Sequence, residues 1–182
     1  MRRTYFFCLF ALCGMSLMQG CLVVKTPQVE TVNSLVKSMF HQPLAENDKQ
    51  GNTWSARVGD EGRLVEVVEQ DGFFVFVSSA GDAIAFDGWN IRSVIGFGDN
   101  NTRQIAVKGE QKQFLSGSSA SSMRCEDWKL DPDLSKQDSK VWMQECDSQV
   151  RANSIVVDKA GAISEISQVI DTGGNRAVLR PL

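Results

Sequence analysis

The chain is poor in the residues that most enzymes use for catalysis and metal binding. Its 182 residues include one histidine, His41, and one tyrosine, Tyr5. A single histidine excludes metal sites built from several imidazoles and most histidine-based acid–base catalysis. His41 stands near Pro43 at the end of a predicted helix, where a cation close to the last carbonyl groups is the simplest interpretation. We therefore expect a protein without enzymatic activity, metal site or cofactor.

Known catalytic motifs are almost absent. Ser34-Leu-Val-Lys37 matches S-x-x-K, but the partner motifs of that enzyme class are missing. Gly96-Phe-Gly98 lacks the third glycine of a dinucleotide-binding loop. Asp131-Pro-Asp133 could serve as a D-x-D metal clasp, although a turn containing proline is the simpler interpretation. The remaining enzymatic alternative is a carboxylate hydrolase, which would need two facing acids in a cleft.

Proline is also scarce, with 4 residues, whereas 42% hydrophobic and 23% charged residues are typical of a globular chain. The length suits one domain of ordinary size. The 19 basic residues are outnumbered by 22 acidic ones, and loss of Arg2 and Arg3 with a signal peptide would leave 17 against 22, a net charge of −5. Such a chain is a poor match for a phosphate backbone, so we expect no nucleic-acid partner.

The first twenty residues have the layout of an export signal. Met1-Arg2-Arg3 is a short basic start, and an almost unbroken apolar run follows from Tyr5 to Met18. Leu17-Met-Gln-Gly-Cys21 resembles the bacterial lipobox, whose cysteine is lipidated and becomes the new N-terminus. We predict lipidation of Cys21 and a stable anchor made of several acyl chains. The alternative is an uncleaved anchor, because residues 5–24 are long enough to span a bilayer.

The residue after the predicted lipid acceptor indicates the compartment. Leu22, and not aspartate, follows Cys21, which in Gram-negative lipoproteins generally implies sorting to the outer membrane. Cys125 and Cys146 then remain as an even pair in an oxidising space. They flank two strand-like arms around a turn-rich stretch, residues 131–138, so that symmetrical pairing of the arms places them opposite each other. We predict a disulfide, with two buried free thiols as the alternative.

The body of the chain reads as one short helix followed by many strands. Apolar residues recur at helical spacing from Lys25 to Phe40, and residues 44–52 have the polar composition of a loop. Beyond Thr53, short apolar segments alternate with turns, including Asp71-Gly72 and Asp87-Gly88. The predicted strands are 53–58, 63–70, 73–79, 82–87, 89–95, 103–108, 123–130, 139–147, 149–157, 162–170 and 176–180.

These segments predict an all-β fold. Windows long enough for crossover helices are missing, so the strands should form an antiparallel meander closed into a barrel, half-barrel or sandwich, with one N-terminal helix. Residues 73–77 are apolar on both faces and are predicted as a central strand. The Ser-rich segment 116–122 is predicted as a flexible loop. The resulting division is a signal peptide at 1–20, a lipidated tether and helix at 21–52, and a β domain at 53–182.

The tryptophans are the most distinctive side chains of the predicted domain. Trp54, Trp89, Trp128 and Trp142 remain after the signal, and a tryptophan on a sheet face can stack on a sugar or line a ligand cavity. Packing in the core is the commoner role, and Trp128 and Trp142 lie close to the cysteines. Trp89 follows a predicted turn directly and is the best candidate for partial exposure.

Three segments in order carry a family resemblance. They are the lipobox with a helix ending at Ser38-Met-Phe40, the strand–turn–strand segment Ala83–Asn100, and Ile155–Gln168 with a near-terminal Val178-Leu-Arg-Pro181. Together they resemble the YjbF/GfcB family of outer-membrane lipoproteins, linked to exopolysaccharide and group 4 capsule production. The resemblance implies an all-β, periplasm-facing lipoprotein that acts beside other export proteins, including an outer-membrane β-barrel and a periplasmic partner.

The leading hypothesis is therefore a non-enzymatic accessory lipoprotein that aids assembly or export of a surface polysaccharide. Trp89 and Phe97 are the predicted contact residues, within a loop face at 87–101 or a sheet edge offered to a partner. The polysaccharide itself is a possible ligand. The alternative is a half-barrel that carries lipid or lipoproteins for outer-membrane assembly, which predicts an apolar cavity.

Overall fold

The computed structural model describes residues 53–98, 102–147 and 149–182, which form one sheet of thirteen antiparallel strands. The predicted all-β antiparallel fold is confirmed. The strands are β1 Thr53–Val58, β2 Glu61–Gln70, β3 Phe73–Ser78, β4 Ala83–Phe86, β5 Ile91–Ile95, β6 Thr102–Lys108, β7 Gln111–Ser116, β8 Ser119–Arg124, β9 Lys129–Lys136, β10 Ser139–Gln144, β11 Asn153–Asp158, β12 Ile163–Val169 and β13 Arg176–Pro181.

The sheet consists of two meanders joined through the first and last strands. Its order is β8-β7-β6-β5-β4-β3-β2-β1-β13-β12-β11-β10-β9, so β13 returns to pair with β1. The strands at the two margins, β8 and β9, are consecutive in the chain. The short connection between them crosses from one margin to the other, because the sheet curls into a half-barrel. An isolated bridge between Cys125 and Cys146 marks the place where the margins meet.

The two Asp-Gly sequences form turns of different length. Asp71 and Gly72 both have positive φ, 49° and 79°, and Gln70 pairs with Phe73 across them. This is the two-residue hairpin that the dipeptide favours. The second, Asp87-Gly88, belongs to a four-residue connection, because β4 ends at Phe86 and β5 begins only at Ile91. The longer turn brings Trp89 out of the strands.

Inward-facing side chains from both meanders form one continuous core. Its largest fully buried members include Phe76, Phe86, Ile84, Ile91, Ile166 and Leu179. Strand β3 is buried on both faces, because Phe76 belongs to this core while its neighbour Val75 packs with Ala85 in a second, smaller cluster. The prediction of a central strand at 73–77 is confirmed.

The Ser-rich segment is a strand, which corrects the prediction of a flexible loop. Gly117 and Ser118 form the turn, and Ser119–Arg124 pairs with β7, itself missing from the predicted strands. In β8 only Met123 is buried. A marginal strand that faces solvent needs few apolar residues, so the composition that usually indicates a loop is compatible with a strand here.

The stretch 131–138 is also mostly strand. Strand β9 runs through it and pairs with β10, with a register shift between Ser139 and Val141. Asp131 Oδ1 accepts the N–H groups of Asp133 and Leu134, each at 2.9 Å. The turn signal therefore marks a bulge within the strand. The predicted strand 123–130 is accordingly divided between β8 and β9.

Several predictions lie outside the described residues. These are the signal peptide at 1–20, the lipidation of Cys21 and the helix at 25–40, together with His41, Ser34 and Lys37. Within the three described ranges, no helix is long and apolar enough to cross a membrane.

Candidate functional site

The point where the sheet margins meet is held by a covalent bond and by backbone hydrogen bonds. Cys125, after β8, and Cys146, after β10, form the disulfide that the sequence predicted. On either side, Glu126 N–H donates to the carbonyl of Glu145 and Asp147 N–H donates to that of Arg124, both at 2.8 Å. The sequence placed the cysteines opposite each other, and the structure adds that their bond joins the end of β8, at one margin, to the end of β10, the strand next to the other margin.

Three of the tryptophans meet beside this disulfide. Trp89 comes from the β4–β5 turn, Trp128 from the β8–β9 connection and Trp142 from β10. The ring centroid of Trp89 lies 5.8 Å from that of Trp128 and 5.1 Å, edge to face, from that of Trp142. We call these three residues the tryptophan cluster. Trp128 and Trp142 pack against the core, as expected, whereas the sequence gave no sign that Trp89 would join them.

Trp89 is the exposed member of the tryptophan cluster, and its backbone is held firmly. Its side chain is 43% exposed, which agrees with the prediction of partial exposure. Asp87 Oδ1 accepts hydrogen bonds from the N–H groups of Trp89 at 2.9 Å and Asn90 at 2.6 Å. The turn is therefore stabilised by the side chain of its own first residue. Arg92 Nε lies 3.4 Å from the other oxygen of Asp87.

A buried glutamine on a distant strand forms two hydrogen bonds with the same turn. Gln168 on β12 is 1% exposed. Its Nε2 donates to the carbonyl of Trp89 at 2.7 Å, and its Oε1 accepts the N–H of Ile91 at 3.0 Å. Both ends of the amide are satisfied across 77 and 79 residues of sequence. The orientation of Trp89 is therefore determined by tertiary structure as well as by its own turn.

A buried lysine lies next to Trp128. Lys112 on β7 is 1% exposed, and its Nζ lies 5.8 Å from the ring centroid of Trp128. No hydrogen bond or ion pair of its ammonium occurs within the described residues. Burial lowers the pKa of Lys112 to about 8, while the charge of Asp87 opposes and that of Arg92 adds to the shift. Sequence reasoning missed this residue, since a lysine in a strand is normally expected to face solvent.

Two further polar atoms, one in the tryptophan cluster and one in the residue after Trp89, are buried without a hydrogen-bond partner in the described part of the chain. They are the indole Nε1 of Trp128 and the side-chain oxygen Oδ1 of Asn90. A buried donor or acceptor without a partner costs about 1–3 kcal/mol. The surroundings of the tryptophan cluster are therefore less completely satisfied than an ordinary core.

Phe97, predicted as a contact residue beside Trp89, has no exposed side chain to offer. It is 4% exposed and belongs to the main core. Its φ of 59° is maintained by a hydrogen bond of 2.8 Å from its N–H to Asp82 Oδ1. Asp82 also accepts the hydroxyl of Ser78 and Nε of Arg63, each at 3.0 Å. This corrects the prediction for Phe97, because the loop after β5 turns its side chain into the core.

The acids singled out in the sequence do not assemble a metal site in the described residues. Asp131 and Asp133 belong to the β9 bulge, where Asp131 is occupied by backbone N–H groups. No group of three histidine, cysteine, aspartate or glutamate side chains within these ranges could hold a metal ion. The chemistry that the site offers is an aromatic surface with buried cationic and polar groups behind it.

Comparison with known proteins shows the fold. No protein-family model and no curated protein matches the sequence. Among solved structures, the chain is similar to the hypothetical lipoprotein YmcC from Escherichia coli, with a TM-score of 0.51 and 12% sequence identity. The match covers 83% of this chain and 94% of that chain. At this identity the likeness shows a common architecture, that of a curled antiparallel sheet found in a lipoprotein.

Proposed function

We propose that the protein is a non-enzymatic lipoprotein, anchored through Cys21 to the periplasmic side of the outer membrane, which assists the assembly or export of a surface polysaccharide. The lipobox-like segment before Cys21 and the family-like segments within 83–100 and 155–168 support this proposal. A lipoprotein of similar fold supports it further, because YmcC is in the YjbF family that these segments resemble.

The contact surface of this proposal is the turn that carries Trp89. A single aromatic side chain, 43% exposed and fixed by Asp87 and Gln168, is the observation that carries it. Rigid aromatic residues lose little conformational entropy on binding and supply a large contact area. Leu130, the cross-strand partner of Trp142, is 45% exposed and extends the apolar surface. Such a surface suits a protein of the export machinery or the apolar face of a sugar ring.

The test is genetic complementation with polysaccharide as the readout. In a strain lacking the gene, wild-type protein should restore capsular and released polysaccharide, whereas Cys21→Ala should not, because the body would lose its anchor. Trp89→Ala should be lipidated and present at normal level but should restore only a small fraction. Pull-down from the same strains shows whether Trp89→Ala also loses an export protein.

The matched control is Leu64→Ala. Leu64 on β2 is 64% exposed, so its truncation also removes an apolar side chain from the surface, but away from the tryptophan cluster. It should complement fully. Normal polysaccharide in the deletion strain would refute the export role, and full complementation by Trp89→Ala would refute the assigned contact.

The alternative is a half-barrel that carries lipid or lipoproteins, which predicts an apolar cavity and lipid bound to the purified protein. In the described part, Phe76, Phe86 and Phe114 belong to one buried cluster. The exposed Trp89 is the observation that favours the export role.

A further inference from the structure

A cavity of about 400 Å³ lies between the β10–β11 connection and the loop from β12 to β13. Its lining residues include Arg151, Thr172, Gly173, Gly174 and Arg176. None of the described residues that line it is acidic. The volume is at the lower end of the range for small-molecule sites.

Arg176 lines this cavity, and its side chain donates hydrogen bonds only to neutral groups among the described residues. Its Nε donates to Ser167 Oγ at 3.2 Å, and its Nη1 donates to the carbonyl of Arg151 at 2.9 Å. Its Nη2 donates to the carbonyls of Ala152 at 2.7 Å and Ser167 at 3.1 Å. Because a guanidinium has five N–H groups, four bonds leave one on Nη1 available. Arg176 is thus held in place by four hydrogen bonds, and no acid of the described residues pairs with its charge.

A second cation stands beside it. Arg151 and Arg176 line the same cavity, and burial together with the positive charge of Arg151 lowers the pKa of Arg176. Neither forms an ion pair within the described residues. The free energy cost of such an arrangement falls when an anion binds between the two groups.

One acid of these loops, Asp171, lies beside Gly173 and is hydrogen-bonded within its own loop. Asp171 accepts the backbone N–H of Asn175 at 3.1 Å and its side-chain Nδ2 at 2.6 Å. Its carboxylate therefore closes the β12–β13 loop on itself. Its charge moderates the positive potential of the cavity but does not neutralise either arginine through a contact.

We propose that this cavity binds a small oxyanion, a carboxylate or a phosphate, carried on a sugar. The remaining Nη1 hydrogen of Arg176 would donate a hydrogen bond to the anion. The exposed guanidinium of Arg151 would form a second, charge-assisted contact with it. Thr172, whose hydroxyl donates to Ser121 Oγ at 3.3 Å, lines the same cavity with Gly173 and Gly174 and adds polar groups for the ring substituents.

This site is distinct from the tryptophan cluster. Ser167, which bonds Arg176, and Gln168, which bonds Trp89, are consecutive on β12 and therefore face opposite sides of the sheet. The inference goes beyond the proposed function. If the cavity does not bind a sugar anion, the proposed role in polysaccharide export is still tested separately by complementation. A negative complementation result does not test binding in this cavity.

The experiment is an NMR titration of the full-length lipidated protein in detergent micelles. The probes are glucuronate, glucose 6-phosphate and glucose, and the amide signals of Gly173 and Gly174 are followed. Glucuronate, glucose 6-phosphate or both should produce saturable shifts that weaken as salt is added, whereas glucose should not. A response to one charged probe alone identifies the carboxylate or the phosphate as the preferred group.

The matched variants are Arg151→Gln and Arg57→Gln. Each removes one exposed arginine charge, but Arg57 lies on β1 outside the cavity. Arg151→Gln should raise the dissociation constant about fivefold, as expected for one exposed charged contact, and Arg57→Gln should leave it unchanged. Equal effects of the two variants, shifts as large with glucose, or no saturable shift up to tens of millimolar of either charged probe would overturn the proposal.

Discussion

The centre of the sheet and the place where its margins meet are stabilised by different interactions. In β3 and β4 the buried side chains are almost all apolar, with Val75, Phe76, Ile84, Ala85 and Phe86 each no more than 2% exposed. Around the disulfide, several buried side chains are polar instead: Lys112, Gln144, Asn153 and Gln168. The centre gains stability from removal of apolar area from water, which has no preferred direction.

The margins depend on hydrogen bonds with definite partners. Asn153 Nδ2 donates to Gln144 Oε1 at 3.1 Å, and Asn153 Oδ1 accepts the N–H of Val169 at 2.8 Å. Gln144 Nε2 in turn donates to the carbonyl of Glu126 at 2.8 Å. Such bonds are directional, so they determine which segments meet, whereas an apolar core accepts many arrangements of similar volume. Of these polar residues, Gln144 and Gln168 bond to segments from distant parts of the sheet, Glu126 and Trp89, and so favour its curl.

The largest effect should come from the centre. Phe86→Ala removes a fully buried ring from β4, and we expect a loss of about 3–5 kcal/mol in the free energy of unfolding, because a cavity is added to the lost transfer energy. Denaturant titration measures it. Leu64→Ala, at an exposed position, should change the same quantity by less than about 0.5 kcal/mol. Similar values for the two variants would remove the distinction on which the comparison rests.

Loss of the disulfide should have the next largest effect, and a local one. The double variant Cys125→Ala, Cys146→Ala should lose about 3 kcal/mol, as expected for a bond that closes a loop spanning 21 residues. Hydrogen exchange should show that the amides of Glu126 and Asp147 lose protection while those of β3 and β4 keep most of theirs. Uniform loss of protection along the sheet would mean that the margins are not an independent region.

The smallest of the three effects depends on pH. Because burial lowers the pKa of Lys112 to about 8, the unfolded chain, with a lysine pKa near 10.4, binds more protons between these values. Stability therefore rises with pH in this interval, by about 2 kcal/mol between pH 8 and 10. The measurement is the free energy of unfolding across that range for wild type and Lys112→Met. The two should converge as pH rises, and a constant difference would show that Lys112 titrates normally.

Most of the fold could be predicted because its centre follows a local rule. Apolar segments separated by Gly-containing turns predicted β1 to β6 within about three residues at each end, and the two-faced burial of β3 followed from its unbroken apolar run. The marginal strands could not be predicted in the same way. Strand β8 buries only Met123, so its sequence has no apolar alternation that would predict a strand. Its extended conformation depends instead on backbone pairing with β7.

The candidate sites were predicted less completely for a related reason. Trp89 and the two cysteines were found from local signals, a turn and an even cysteine count. Lys112 and Gln168 were not, because their roles depend on partners that are distant in sequence. Phe97 was misplaced, because its inward turn requires the carboxylate of Asp82, fifteen residues earlier.

The sequence by itself indicated the class of fold and the central strands, and it led to the predictions of a Cys125–Cys146 disulfide and of a lipid anchor at Cys21. These are consequences of alternation, composition and short motifs, each of which acts over a few residues. Only the tertiary structure decided that the margins of the sheet meet, that three tryptophans meet with a buried lysine next to one of them, and that Arg151 and Arg176 share a cavity. The first two depend on the curl of the sheet, and the third on the pairing of β11, β12 and β13, which bring together side chains that are distant along the chain.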